Sequence, residues 1–162
     1  MILGRALLEK RIKEENLIEN YCEDCLESCG YDLRVKTFYD ASGEAAMKLS
    51  GRVMPEVKEI PENEIVLKPG DYVLMETIEK INMPKDLAAR VLNKSSLFRC
   101  GASTFNALVD PGFCGTLTFG LKNISTHDFV VEKGVKIAQI VFEEVGGGVV
   151  PYSGRFQGGK II

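Results

Sequence analysis

Apolar and polar positions change rhythm once along this chain. Residues 4 to 16 follow a helical period, with Leu7, Leu8 and Ile12 on one face and Glu9, Lys10, Lys13 and Glu15 around them. That pattern predicts one N-terminal helix. After Cys29 the apolar runs become short and are broken by Gly, Pro and Asn. Strands are predicted over Tyr31 to Tyr39, Glu64 to Lys68, Tyr72 to Ile78, Ala88 to Leu92, Gly115 to Asn123, Phe129 to Glu132 and Val135 to Glu143. Many short strands separated by turn signals predict a mainly β sandwich or jelly roll.

The connections carry their own information. Leu67-Lys-Pro-Gly70-Asp-Tyr-Val and Val131-Glu-Lys-Gly134-Val-Lys-Ile form two similar turns, too short to count as a repeat. Residues 41 to 63 are charged and hold two prolines, so they predict a long, partly irregular connection. Gly146-Gly147-Gly148 is the clearest hinge. Beyond it, residues 149 to 162 predict a tail that orders only by closing over something, or else a frayed end.

Composition narrows the class. The chain has 162 residues and 45% apolar content, which fits one domain with a full core. No apolar run approaches a membrane span, and Met1-Ile-Leu-Gly-Arg does not resemble a signal peptide, so a cytoplasmic protein is expected. The net charge of −3 argues against a general nucleic-acid binder but leaves room for a small phosphorylated ligand. Five cysteines do not suggest a disulfide framework. Cys22, Cys25 and Cys29 cluster, but a second paired half of a zinc site is missing, and reduced thiols are the expectation.

Three local patterns carry candidate chemistry. Lys94-Ser95-Ser96-Leu97-Phe98-Arg99 follows an apolar strand, and two cations with two hydroxyls suit an anion. Asp110 precedes Pro111 and Gly112 between two apolar runs. It is either a turn residue or a carboxylate raised to a hairpin tip, where it can orient and deprotonate water. Gln139 sits in an apolar strand and needs partners if buried. Zinc deaminases require His-x-Glu and Pro-Cys-x-x-Cys. The only histidine, His127, is followed by Asp128 and Phe129, so that chemistry is excluded.

Five segments, in order over residues 28 to 158, together resemble the dUTPase / dCTP deaminase superfamily. They are Ser28-Cys-Gly30-Tyr31-Asp32-Leu33, Arg90-Val-Leu-Asn-Lys94-Ser95-Ser96-Leu97-Phe-Arg99, Val109-Asp110-Pro-Gly-Phe113-Cys-Gly115, Gly134-Val-Lys-Ile137-Ala138-Gln139-Ile140 and Tyr152-Ser-Gly-Arg155-Phe156-Gln157-Gly158. The resemblance implies a dUTPase-like distorted jelly roll with a short N-terminal helix, assembled as a homotrimer with sites between subunits. It implies that Asp110 activates water. It further implies that Lys94, Ser95, Ser96, Arg99, Gln139 and Arg155 lie near phosphate, and that Asn106 to Phe113 read the base. Phe113 would pack on deoxyribose, and Phe156 and Gln157 belong to a lid. Asp32 would support the site or the water shell of Mg²⁺.

Deaminases of this superfamily carry a glutamate ten residues after the Asp110 position, the proposed general base for attack on cytosine. Here that position is Gly120. Losing a positioned base forfeits about 10²–10⁴ in rate. The resulting expectation is a dUTP diphosphatase acting on a deoxyuridine nucleotide with Mg²⁺. The alternatives are a dCTP deaminase or a bifunctional dUMP-forming dCTP deaminase, with Glu143, Glu144 or another carboxylate supplying what Gly120 lacks, and a catalytically silent nucleotide-binding protein.

Overall fold

The computed structural model covers residues 1–162. Helix α1 (Arg5–Glu15) buries Leu8 and Ile12, four residues apart on one face. Leu7, expected beside them, is 38% exposed and lies off that face. The helix ends where Asn16 turns into the left-handed region at φ 53°, a conformation asparagine tolerates. A short strand β1 (Ile18–Glu19), a 3₁₀ turn and β2 (Leu26–Glu27) follow.

Regular structure in the remaining chain is almost all strand. In order come β3 (Gly30–Ser42), β4 (Ala46–Lys48), β5 (Gly51–Val53), β6 (Glu56–Ile60), β7 (Glu64–Leu67), β8 (Tyr72–Asn82) and β9 (Leu87–Asn93). Then come a one-turn helix α2 (Ser95–Arg99), β10 (Ala102–Phe105), β11 (Cys114–Asn123), β12 (Phe129–Glu132) and β13 (Lys136–Glu144). Residues 41 to 63 are partly irregular, as expected, but they also hold three strands, with β4 and β5 forming an exposed hairpin and β6 pairing with β3. The anion-suited cluster is helical: Ser95 to Arg99 wind into one turn whose Leu97 is buried.

The main sheet runs β10-β11-β8-β3-β13-β9. Strand β3 belongs to both halves of the molecule. Its start, Tyr31 to Arg34, pairs with β13, and its continuation pairs with β8 and β6 after a register shift between Val35 and Thr37. A bulge of this kind bends a strand and lets it turn a corner between sheets. The two ends of the sheet then meet. Ala89 of β9 and Val109 exchange both backbone hydrogen bonds, at 3.0 and 2.8 Å. Asn93 Oδ1 accepts from Thr104 N–H at 2.8 Å and from Thr104 Oγ1 at 2.6 Å. This near closure leaves few open edges.

The core gathers one face from every large strand: Tyr31, Leu33, Phe38, Met75, Ile81, Leu121, Ile140 and Phe142 are fully covered. The alternation along β11 puts Leu117, Phe119 and Leu121 inward. Strands β7 and β12 pair as a separate antiparallel ribbon, and the glycines at their two similar turns, Gly70 and Gly134, share φ +90°. No helix is long and apolar enough to cross a membrane.

Candidate active site

Residues 106 to 113 close the β10–β11 hairpin as a broad loop, with Asp110 at the start of its last turn. Phe113 N–H donates to Asp110 O at 3.1 Å, Pro111 supplies a fixed φ, and Gly112 takes φ +83°. That is the residue pattern a type II turn demands. The turn is pinned to Met83 by two backbone bonds: Gly112 N–H to Met83 O (3.1 Å) and Met83 N–H to Phe113 O (2.8 Å). Asp110 is therefore held half-buried on a loop fixed by backbone hydrogen bonds.

Beside this loop lies a cavity of about 660 Å³, walled by the loop, β8, β11 and the C-terminal tail. Asp110, Asn106, Phe113 and Phe156 line it, and Asp110 is the only acidic residue among its lining residues. Asn106 also donates to Thr104 Oγ1 at 3.2 Å. Phe113, expected against a sugar, is 8% exposed and meets Tyr152 edge-on at 5.7 Å, so it serves as a wall of the cavity.

The tail is docked rather than frayed. Tyr152 N–H donates to Pro111 O (2.7 Å) and Gly158 N–H to Cys114 O (2.8 Å). Gln157 clamps the loop from both sides: its Nε2 donates to Gly112 O and its Oε1 accepts from Cys114 N–H, each at 3.0 Å. Gln157 thus holds backbone here and does not line the cavity. Backbones approach closely where the tail lies down. A Cβ on Gly115 would sit 2.3 Å from Gly159 N, and one on Gly112 would sit 2.8 Å from the Pro151 side chain. The tail's last residues, Lys160 to Ile162, form part of the cavity wall. Arg155 lies over the Phe156 ring at 5.6 Å and stays exposed.

The other predicted residues form a second group. Gln139 of β13 faces Asp32 of β3 across the sheet and Leu92 of β9 on its other side. Gly30 packs beneath it: an added Cβ would lie 2.7 Å from Ile140 O and 3.2 Å from Gln139 Cγ. Lys94, expected to meet phosphate, forms an ion pair with Asp32. Asp32 is 1% exposed, and its second oxygen, Oδ1, has no hydrogen-bond partner. In this chain Asp32 is thus engaged by Lys94, and no group of three acidic, histidine or cysteine side chains is placed to hold a metal directly. Ser95, Ser96 and Arg99 are exposed on α2, with Arg99 over the Phe98 ring at 5.5 Å. None of this second group lines the cavity that holds Asp110. Glu143 and Glu144 do not reach it either: Glu143 pairs with Arg90 at 2.8 Å, and Glu144 lies 3.9 Å from the N-terminal amine.

Reading the sequence missed Tyr72. It lines the cavity, pairs with Lys122 in the β8–β11 register, and leans diagonally toward Gly120. Nothing in the local sequence marks it, because the contact depends on strand register. The five cysteines are all free thiols.

The comparisons agree with this architecture. The profile of the dCTP deaminase-like family matches residues 2–145. The dCTP deaminase of Thermococcus kodakarensis is 36% identical over 151 residues, 93% of this chain and 90% of that protein. Among solved structures, the 2'-deoxycytidine 5'-triphosphate deaminase from Agrobacterium tumefaciens superposes with TM-score 0.71 at 18% identity. It covers 90% of this chain, and this chain spans 48% of that longer one. A variant of the Staphylococcus bacteriophage 80alpha dUTPase with dUpNHpp gives TM-score 0.53 at 14% identity, over 86% of this chain and 96% of that one. Both structures share the expected dUTPase-like β fold.

This chain belongs to the dCTP deaminase-like family. The expectation of a dUTP diphosphatase is thereby corrected. It rested on one position, Gly120, whereas the resemblance to proteins named dCTP deaminase extends over nearly the whole chain.

Proposed function

We propose that this protein is a dCTP deaminase, taking dCTP and water to dUTP and ammonia. The observation that carries the reading is the cavity beside the 106–113 loop, where Asp110 is the sole acidic side chain. Deamination needs water to add at C4 of the cytosine ring, with a group to accept the water's proton and return it to the departing amino nitrogen. Asp110 is the one acidic cavity residue able to do both. Phe113, Tyr152 and Phe156 supply apolar walls for a base and sugar. Ser95, Ser96, Arg99 and Gln139 lie outside this cavity, so in this reading they serve a site shared with another copy of the chain, in a homotrimer. Mg²⁺ enters only as the counter-ion of the triphosphate, and no residue of the chain is assigned to it.

Gly120 favours a second reading: binding of the nucleotide without turnover, since no carboxylate stands at that position. One experiment separates the two. The protein is incubated with dCTP, dUTP and dTTP in turn, and ammonia and nucleotide products are measured. Ammonia from dCTP, with dUTP or dUMP formed, is the expected result. Saturable dCTP binding without ammonia supports the second reading. Neither binding nor turnover of dCTP refutes both.

A further inference from the structure

At position 120 the constraint is space. Its φ lies outside the positive range, so its backbone conformation would accept any residue. What a side chain would meet is the far end of Tyr72, which would have to move. A Cβ at Gly120 would lie 2.5 Å from Tyr72 Cε2, 2.5 Å from Tyr72 Oη and 2.9 Å from Tyr72 Cζ. The register explains the approach: Tyr72 pairs with Lys122 and Gly120 with Leu74, so the ring reaches along the diagonal that aromatics can span. On the other side, Gly120 pairs with Phe105, and the Tyr72 and Phe105 rings meet edge-on at 6.5 Å. Tyr72, Gly120 and Phe105 all line the cavity that holds Asp110. The tyrosine hydroxyl thus stands where a side chain from position 120 would begin.

We infer that Tyr72 is the specificity-determining residue of this cavity, reading the pyrimidine edge in place of a side chain at position 120, and that the site therefore binds bases with either an amino or a carbonyl group at C4. The reason is the chemistry of the group. A carboxylate only accepts hydrogen bonds and so selects an amino donor, whereas a neutral phenol both donates and accepts. Burial raises the Tyr72 phenol above its ordinary range, with no charged or hydrogen-bonding neighbour contributing. It stays neutral at physiological pH and keeps both roles.

The inference rests on nucleotide binding in this cavity, as proposed above, and its test separates the two. Equilibrium binding of dCTP and dUTP is measured for the wild type, Tyr72→Phe and the double variant Gly120→Glu/Tyr72→Ala. The wild type should bind both nucleotides with affinities within about tenfold of each other, the span one neutral hydrogen bond covers. Tyr72→Phe keeps the ring against Phe105 and Gly120, so a purely structural role would leave binding unchanged. The expected result is a loss of about 2- to 10-fold for both nucleotides. The double variant restores a carboxylate and vacates its space, and its preference should shift toward dCTP. Unchanged affinities in Tyr72→Phe, or a wild type that binds dCTP and rejects dUTP, overturn the role of Tyr72 and leave the proposed function standing. A wild type that binds neither nucleotide overturns both.

Discussion

Replacing Gln157 by alanine tests whether the tail is a docked element. The Gln157 amide makes two hydrogen bonds to backbone on either side of the Asp110 loop, each 3.0 Å long and both exposed to solvent. An exposed hydrogen bond of this kind contributes about 0.5–1 kcal/mol net, because water competes for both partners. Losing two therefore costs the docked state about 1–2 kcal/mol, a factor of roughly 5–30 in the ratio of docked to released tail. Tyr152 N–H and Gly158 N–H still hold the chain at 2.7 and 2.8 Å, so release is more frequent but not complete. Arg155 lies in the tail and is exposed, so trypsin reports release directly. Where docking equilibrates faster than cleavage, the cutting rate follows the released population. Gln157→Ala should shed the peptide of residues 156–162 roughly 5–30 times faster than the wild type. Cleavage at Arg52, on the remote β5 strand, should be unchanged. Equal rates for the two proteins at Arg155 would show that the amide contributes nothing to docking.

Three further outcomes follow from individual contacts. Asp110→Asn should abolish ammonia release from dCTP while leaving dCTP affinity within about threefold, since the amide keeps the volume but accepts no proton; near-normal turnover would remove Asp110 from its role. Glu79 is fully buried and accepts hydrogen bonds from Arg34 N–H at 2.8 Å and Arg34 Nε at 2.6 Å. Glu79→Ala leaves that guanidinium and backbone donor without an acceptor and should cost about 3 kcal/mol, lowering Tm by roughly 6–12 °C in calorimetry. The Tyr39 phenol is pushed up to about 12 by burial and by its hydrogen bond to Glu76. Because the folded value lies above the ordinary value of about 10, its contribution is fully present below pH 10 and is lost as pH rises through 12. Tyr39→Phe should flatten the fall in stability across that window; an unchanged slope would assign the loss to other groups.

The strand series was legible because burial on one face imposes alternation, and turn glycines mark the ends. Strand β12 (Phe129–Glu132) matches its predicted span. Within the partly irregular span from 41 to 63 the short strands were not legible, because β4 and β5 are held mainly by each other and β5 is exposed throughout, so no burial pattern marks them. Helix α2 was hidden for a related reason: its five residues bury only Leu97, too little for a helical period. Among the candidate site residues, chain order could identify the five segments but not which of them meet. That depends on how β3 bends between its partners, which places Asp32 and Gln139 apart from the Asp110 cavity.

Gly120 illustrates why a missing side chain is hard to interpret from sequence. Along the chain it reads as lost chemistry, and that reading pointed to phosphate hydrolysis. Across the sheet it is space already taken by Tyr72, a residue forty-eight positions earlier whose phenol brings its own hydrogen-bonding capacity to the same wall. Restoring glutamate at 120 alone would therefore drive the new side chain against an aromatic ring. Tyr72 is 46% exposed and meets position 120 with the far end of its side chain, so relief must come from Tyr72 swinging outward. The two positions form one unit of design, and coupling between Gly120→Glu and Tyr72→Ala should be non-additive, as expected for residues sharing one space.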